Sequence, residues 1–401
     1  MGEVFTGNFT QQEPLPDAAL AAAEAVLRHG RLHRYNTADG EVAETALLEE
    51  EFAASTGAAF CLAVASGGYA LGCALRACGV TPGDAVLTNA FTLAPVPGAI
   101  AGVGAVPVLV GVTEGLVIDM DDLAAKLGQA RVLLLSHMRG HICDMDRLMQ
   151  LCDAAGVTVI EDCAHTMGAA WNGRPTGRWG RMGCFSTQTY KHINSGEGGL
   201  LISDDAEAMA RAVLLSGSYM LYGRHRAAPP EEAFAGLRYE VPNISGRMDN
   251  LRAAILRPQL KGLTRQAGRW NDRYRRLAEG LADLPGVSVP VRPAAEQFVA
   301  SSFQFLLLDQ PAEVIAAVVA GCAVRGVELK WFGAAEPVGF TSGYASWRYA
   351  PQHALPATDR VLAGLLDMRL PLTFSLDDCA VIARIIRDVV TDVLGRTRGA
   401  A

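Results

Sequence analysis

Between about residue 40 and residue 250, short apolar runs alternate with longer amphipathic stretches, and this alternation constrains the fold more than any other feature of the chain. The helical pattern Glu41–Thr56 leads into the run Phe60–Ala65, then helix Gly68–Cys78 and the run Ala85–Thr88. Further runs are Ala105–Val112, Arg131–Ser136, Val157–Asp162, Cys184–Thr187 and Gly199–Ser203. Several are apolar at every position, as strands covered on both faces are. Strand–helix alternation with such strands predicts an α/β fold: a mostly parallel sheet flanked by helices.

After Arg247 the pattern changes. Leu251–Leu284 reads as a long arginine-rich helical stretch interrupted by Pro258 and closed by the turn signal Pro285-Gly286. Strands Val287–Val291 and Phe303–Leu308, helix Glu313–Val324, a glycine- and aromatic-rich loop Trp331–Tyr349 and a last helix Leu376–Leu394 behind Ser375 follow. The division expected is a large domain over 1–250, with an N-terminal helical arm, and a smaller C-terminal α/β domain over 251–401.

Composition removes several function classes. Half of the 401 residues are hydrophobic and 19% are charged, enough for a large core, and the net charge of −7 without a basic run argues against nucleic acid or an anionic membrane as partner. With no signal-like N-terminus and no long apolar span, a cytoplasmic protein is expected. The nine cysteines sit in apolar runs without paired spacing and read as reduced core residues. His137 and His141 with Cys143 have the side chains of a metal site, but Gly140 interrupts them and a loop is expected there, so no metal is assigned.

Ligands of open α/β sheets bind beyond the carboxyl ends of the strands. Ser66-Gly67-Gly68 follows the first run and opens a helix, which suits a phosphate or an ordinary tight turn. Glu161-Asp162-Cys163-Ala164-His165 ends another run, and a buried acid there could keep an aromatic nitrogen protonated. Lys191 lies between two core strands in a chain with four lysines among 35 basic residues; Lys126 and Lys261 read as solvated helix positions and Lys330 as a strand or loop residue with no assigned role. A partly buried lysine loses its charge readily and can form a Schiff base with an aldehyde. Phosphate turn, strand-end acid and inter-strand lysine are together what a pyridoxal phosphate site requires.

These residues resemble the DegT/DnrJ/StrS-type aminotransferases, fold-type I pyridoxal-phosphate enzymes acting mostly on keto-sugars and keto-cyclitols. The resemblance rests on Glu161 to His165 with Gly168-Ala169, on Cys184-Phe185-Ser186 followed by Lys191, on Ser195-Gly196-Glu197-Gly198-Gly199, on the loop His137, Gly140 and Asp144-Met145-Asp146, and on Arg247-Met248 with Leu251 and Ala253-Ala254. It implies that Lys191 carries the cofactor and moves the substrate proton, that Asp162 pairs with the ring nitrogen, and that His165 lies near the ring. Ser66, Gly67, Gly68 and Ser186 would hold the phosphate, and Asn243 or Ser245 would reach into the site of a partner in a homodimer. Gly68 stands where the family usually has threonine. Leu93 stands where a stacking aromatic is usual, so either Phe91 covers the ring or the stacking is lost. Arg139 replaces a usual aromatic. Arg34, Tyr35, Arg139 and His192 are candidates for substrate binding, the arginines for a carboxylate on the donor or the acceptor. The reaction implied is amino transfer from glutamate or glutamine to a keto-sugar or keto-cyclitol, in secondary-metabolite or sugar biosynthesis. Elimination, racemisation or decarboxylation of an amino acid is the alternative, since the same lysine and acid serve those reactions.

Overall fold

The computed structural model describes residues 2–339, 343–352 and 354–399. Seven strands form the central sheet in the order Phe60–Val64, Gly199–Ser203, Met182–Ser186, Thr158–Asp162, Val132–Ser136, Ala85–Asn89, Val106–Val110. Gly199–Ser203 runs antiparallel to both its neighbours and the other pairings are parallel. Alternate side chains of each strand enter cores on opposite faces. Leu134, Ile160 and Met182 pack against the helices Gly67–Ala77 and Ala206–Ser216, while Leu133, Leu135 and Val159 face the other way. This two-sided burial is why the strands read as continuous apolar runs.

The consequence for the site is positional. Val64, Ser186 and Asp162 end parallel strands on one edge of the sheet, and the segment Thr187–Gly198 connects two adjacent strands along that edge. A second sheet, order Ser302–Leu306, Leu365–Arg369, Lys330–Trp331, is antiparallel and sets Arg369 opposite Ser302 and Asp367 opposite both Gln304 and Lys330.

Three details differ from expectation. Pro258 lies inside helix Asn250–Leu260, and the break comes after it, at Lys261-Gly262, before helix Leu263–Leu281. A proline late in a helix forfeits one hydrogen bond but does not stop the residues that follow it from closing a final turn. Val287–Val291 forms a single bridge, Ser288 to Leu306, instead of a strand. Lys126 is no solvated helix residue: its Nζ donates to the Leu109 carbonyl at 2.8 Å and to Asp122 at 2.7 Å. The last helix, Leu376–Gly399, does begin behind Ser375, whose Oγ accepts from the Asp378 N–H at 3.0 Å while Asp378 accepts from the Ser375 N–H at 2.7 Å. The N-terminal arm contains helix Asp17–His29, packed on Asn250–Leu260. Among the described residues no helix is long and apolar enough to cross a membrane.

Candidate active site

A cleft of about 460 Å³ opens at the carboxyl edge of the central sheet, lined among others by Ser66, Gly67, Gly68, Asp162, His165, Ser186 and Lys191. At one end the helix Gly67–Ala77 points its N-terminus into the cleft, with Ser66 as its cap: Ser66 Oγ accepts the Tyr69 N–H at 3.0 Å. That cap takes the third N–H of the first turn, and the amides of Gly67 and Gly68 lie on the cleft side. Strand and helix approach so closely here that a Cβ on Gly67 would meet Ser186 Cβ at 2.8 Å, and one on Gly199 would strike the Ser66 carbonyl. The result is a rim of backbone amides and the Ser186 hydroxyl with space kept open for an anion.

Asp162 forms the floor. Ser136 Oγ donates to its Oδ2 at 3.0 Å and the Ala164 N–H to its Oδ1 at 3.1 Å. Ser136 is itself fixed, accepting from Thr92 Oγ1 at 2.8 Å, with its backbone N–H on Asn89 Oδ1 at 2.9 Å. Strand pleating sends the preceding Glu161 to the opposite face, where it accepts the amides of Gly177, Trp179 and Gly180 and a bond from His137 Nε2 at 3.0 Å. Lys191 rides on a tight turn in which its N–H donates to the Gln188 carbonyl at 2.9 Å and Gln188 N–H to Ser186 Oγ at 3.3 Å.

Burial pulls the Lys191 amine down to about 7; the Asp162 carboxylate opposes this, while Arg139 and Arg369 reinforce it. Burial also raises the Asp162 carboxyl, against Lys191. His165 is held neutral, first by burial and then by the cations around it. Its Nδ1 accepts the Arg139 N–H at 3.0 Å, so the ring proton lies on Nε2. An amine that is partly neutral at pH 7, a buried carboxylate and an anion rim are the donor set that pyridoxal phosphate needs, and the residues fit it.

The remaining expected residues divide. Arg139 lines the cleft; Arg34, Tyr35, His192 and Phe91 do not. Arg34 is buried elsewhere, its two terminal nitrogens each 2.9 Å from an oxygen of Glu49, so its fork is already occupied by a carboxylate of its own chain. Tyr35 bonds His225 in the same cluster at 2.8 Å. His192 packs edge-on against Trp270, 5.2 Å between centroids. Phe91 packs against Phe332 at 5.1 Å, and of the two residues only Leu93 lines the cleft. Asn243 and Ser245 lie on an exposed loop outside this chain's cleft, Asn243 Oδ1 accepting the Ser245 N–H at 3.0 Å. His137 and His141 point apart, to Glu161 and to Gln304. Ligand atoms of His137, Glu161 and Cys163 do lie within 4.8 Å of one another, but the Glu161 oxygens already accept three amides. Gln12, Gln188, Tyr190, Glu197, Trp270 and Arg369 line the cleft without having been expected there.

The sequence profile of the DegT/DnrJ/EryC1/StrS aminotransferase family matches residues 17–389. The chain belongs to that family. Its members depend on pyridoxal phosphate. The L-glutamine:scyllo-inosose aminotransferase of Streptomyces griseus is 31% identical over 307 residues, 75% of this chain and 70% of the relative. The 3-amino-5-hydroxybenzoate synthase of Amycolatopsis mediterranei is 33% identical over 243 residues, 60% of each. Among the first three curated relatives the aligned part spans 56% to 70% of their own length. The crystal structure of a 3-amino-5-hydroxybenzoic acid synthase superposes with a TM-score of 0.81 at 27% identity, covering 96% of this chain and 99% of the other.

Against the family's threonine, Gly68 is an omission that the fold does not require. A Cβ there meets nothing nearer than Ser66 Oγ at 4.0 Å. Gly68→Thr is expected to fold normally and to bind pyridoxal phosphate roughly 10- to 100-fold more tightly, since a hydrogen bond to a charged group contributes about 1.5–3 kcal/mol. Equilibrium titration of the cofactor-free variant by visible absorption checks this, and unchanged affinity would remove Gly68 from the phosphate rim.

Proposed function

We propose that this protein is a pyridoxal-phosphate-dependent aminotransferase that takes an amino group from glutamine or glutamate and delivers it to a keto-cyclitol or keto-sugar, in secondary-metabolite or sugar biosynthesis. The observation that carries the reading is the half-buried Lys191 amine, lowered to about 7, on the same cleft wall as the Asp162 carboxylate and the Gly67–Gly68 rim. The bound cofactor would supply the electron sink that makes the α-proton of an amino acid acidic. The chain's own residues would do the rest. Gly67, Gly68, Ser66 and Ser186 would hold the phosphate, and Asp162, oriented by Ser136, would keep the ring nitrogen protonated. Lys191 is the base that would take and hold the α-proton of the amino donor. His165, neutral and with its tautomer set by the Arg139 amide, would donate from Nε2 toward the ring substituents. A homodimer completes the proposal, with Asn243 or Ser245 of each chain reaching the partner's site. The relatives named for L-glutamine and scyllo-inosose support the donor and acceptor classes.

The test is chemical. The protein supplied with pyridoxal phosphate should absorb in the visible, borohydride should fix the label, and mass spectrometry should place it on Lys191. A colourless protein, or label on Lys126, Lys261 or Lys330, would overturn the assignment. Loss of the visible band on adding an amino donor alone, with keto acid released, separates amino transfer from elimination, racemisation and decarboxylation.

A further inference from the structure

Two guanidinium groups from distant parts of the chain line the cleft that holds Lys191. Arg139 is nine-tenths buried and sits in a left-handed backbone conformation, φ 56°, directly before Gly140. Its Nη2 lies 2.8 Å from Asp367 Oδ2, an ion pair off the hydrogen-bond direction, and its Nε has no hydrogen-bond partner among the described residues. Asp367 is wholly buried and cannot swing away, because Gln304 Nε2 donates to its Oδ1 at 2.7 Å and Gln304 accepts in turn from His141 at 2.9 Å. Arg139 is therefore oriented before any ligand arrives, with donor capacity remaining. Arg369 comes from the C-terminal sheet, and its guanidinium carbon lies over Tyr190, 3.6 Å from the ring centroid, one residue along from Lys191. Attraction between the cation and the ring face holds the guanidinium at that place beside Lys191.

We propose that Arg139 and Arg369 form a carboxylate subsite beside Lys191, one arginine contributed from the loop after strand Val132–Ser136 and the other from strand Leu365–Arg369. This rests on the amino-transfer reading. The reacting carbon of either substrate must come to Lys191, so a carboxylate attached to that carbon or to its neighbour falls beside the amine. Planar guanidinium groups are suited to such an anion, since they donate two parallel hydrogen bonds to its two oxygens. Both arginines also act on the Lys191 amine, which places their charges close to it. The occupant is the α-carboxylate of the amino donor or a carboxylate on the ketone it aminates.

Calorimetric titration of glutarate and of its neutral counterpart glutaramide into the protein loaded with pyridoxal phosphate tests the subsite without turnover. The unaltered protein should bind glutarate and ignore glutaramide. Arg369→Ala should weaken glutarate at least tenfold and Arg369→Lys should restore part of that. Arg139→Ala combined with Asp367→Asn, which removes both members of their ion pair, should weaken it similarly. No glutarate binding by the unaltered protein, or equal binding by all four proteins, would overturn the proposal. Bleaching of the visible band by L-glutamine against 4-aminobutanamide, which lacks the carboxylate, identifies the occupant. If Arg369→Ala erases the preference for glutamine, the donor's carboxylate sits there; if the preference survives while glutarate binding is lost, the ketone's does. Glutarate binding with no bleaching by any amine would leave the subsite standing and end the amino-transfer reading.

Discussion

Lys191→Ala is expected to lower amino transfer by about 10⁴-fold, the upper end of what a positioned proton carrier contributes, while the protein stays folded and still holds the cofactor non-covalently. No other lysine can substitute. Lys126 is tied to Asp122 and the Leu109 carbonyl, Lys261 is exposed on the break between two helices, and Lys330 stands on the C-terminal sheet outside the cleft lining. Lys330 is itself a useful contrast, since burial brings its amine to about 8 although Asp367 opposes the shift. A lowered amine is thus not sufficient; position at the strand ends decides.

The same geometry fixes a pH dependence. The free amine, not the ammonium, attacks an aldehyde. With its amine near 7 instead of the ordinary 10.5, Lys191 should capture pyridoxal phosphate at a rate that climbs as pH rises to about 7 and then levels off. Stopped-flow reconstitution of cofactor-free protein, followed by visible absorption, measures it. A rate still climbing steeply between pH 8 and 10 would mean that the cleft does not desolvate the amine. In Asp162→Asn the opposing charge is gone, so the plateau should begin at lower pH.

Much of this was legible in the chain because the central strands are buried on both faces. An apolar run that stops at Asp162 or Ser186 announces both a strand and the edge where it ends, and a lysine-poor composition makes Lys191 conspicuous. Direction was harder to read than place. His192 follows Lys191 in sequence, yet it packs on Trp270, and Phe91 lies two residues from Leu93, yet only Leu93 reaches the cleft. Which side of a loop faces a ligand depends on neighbours such as Trp270 and Phe332, which lie far away in the chain. Arg369 was missed for the same reason. Its signal was the strand Leu365–Arg369, where Asp367 and Arg369 interrupt an apolar run at alternate positions and so share one face. Gln12, from the N-terminal segment, carried no local pattern at all.

Arg34 supplies the second large effect, on stability instead of rate. Glu49→Ala should destabilise the protein by about 3–5 kcal/mol, the usual consequence of leaving one partner of a buried ion pair alone. Arg34 and Glu49 are both buried, and Glu49 also accepts the Ala63 N–H at 2.8 Å, which ties the pair to the first strand of the central sheet. His225 Nδ1 lies 2.9 Å from Arg34 Nη2 and 3.2 Å from Glu49 Oε2, and its Nε2 is 2.8 Å from the Tyr35 hydroxyl, so histidine and tyrosine complete the buried cluster. Burial and Arg34 together keep that histidine neutral. Burial alone would raise the Glu49 carboxyl, but the Arg34 guanidinium outweighs it and holds it at about 2 against an ordinary 4.5. A carboxyl lowered on folding contributes stability that is complete above 4.5 and is lost as pH falls through about 2. The difference in urea midpoint between the unaltered protein and Glu49→Ala should therefore be largest near neutral pH and shrink over that acid range. Replacing both partners, Arg34→Met with Glu49→Leu, should recover part of the loss, because well-packed apolar pairs commonly match a buried ion pair while the Ala63 N–H stays unpaired. That double variant should also bind glutarate as the unaltered protein does. Weakened glutarate binding, or an unchanged midpoint in Glu49→Ala, would return Arg34 to the substrate site and contradict the geometry of its pairing.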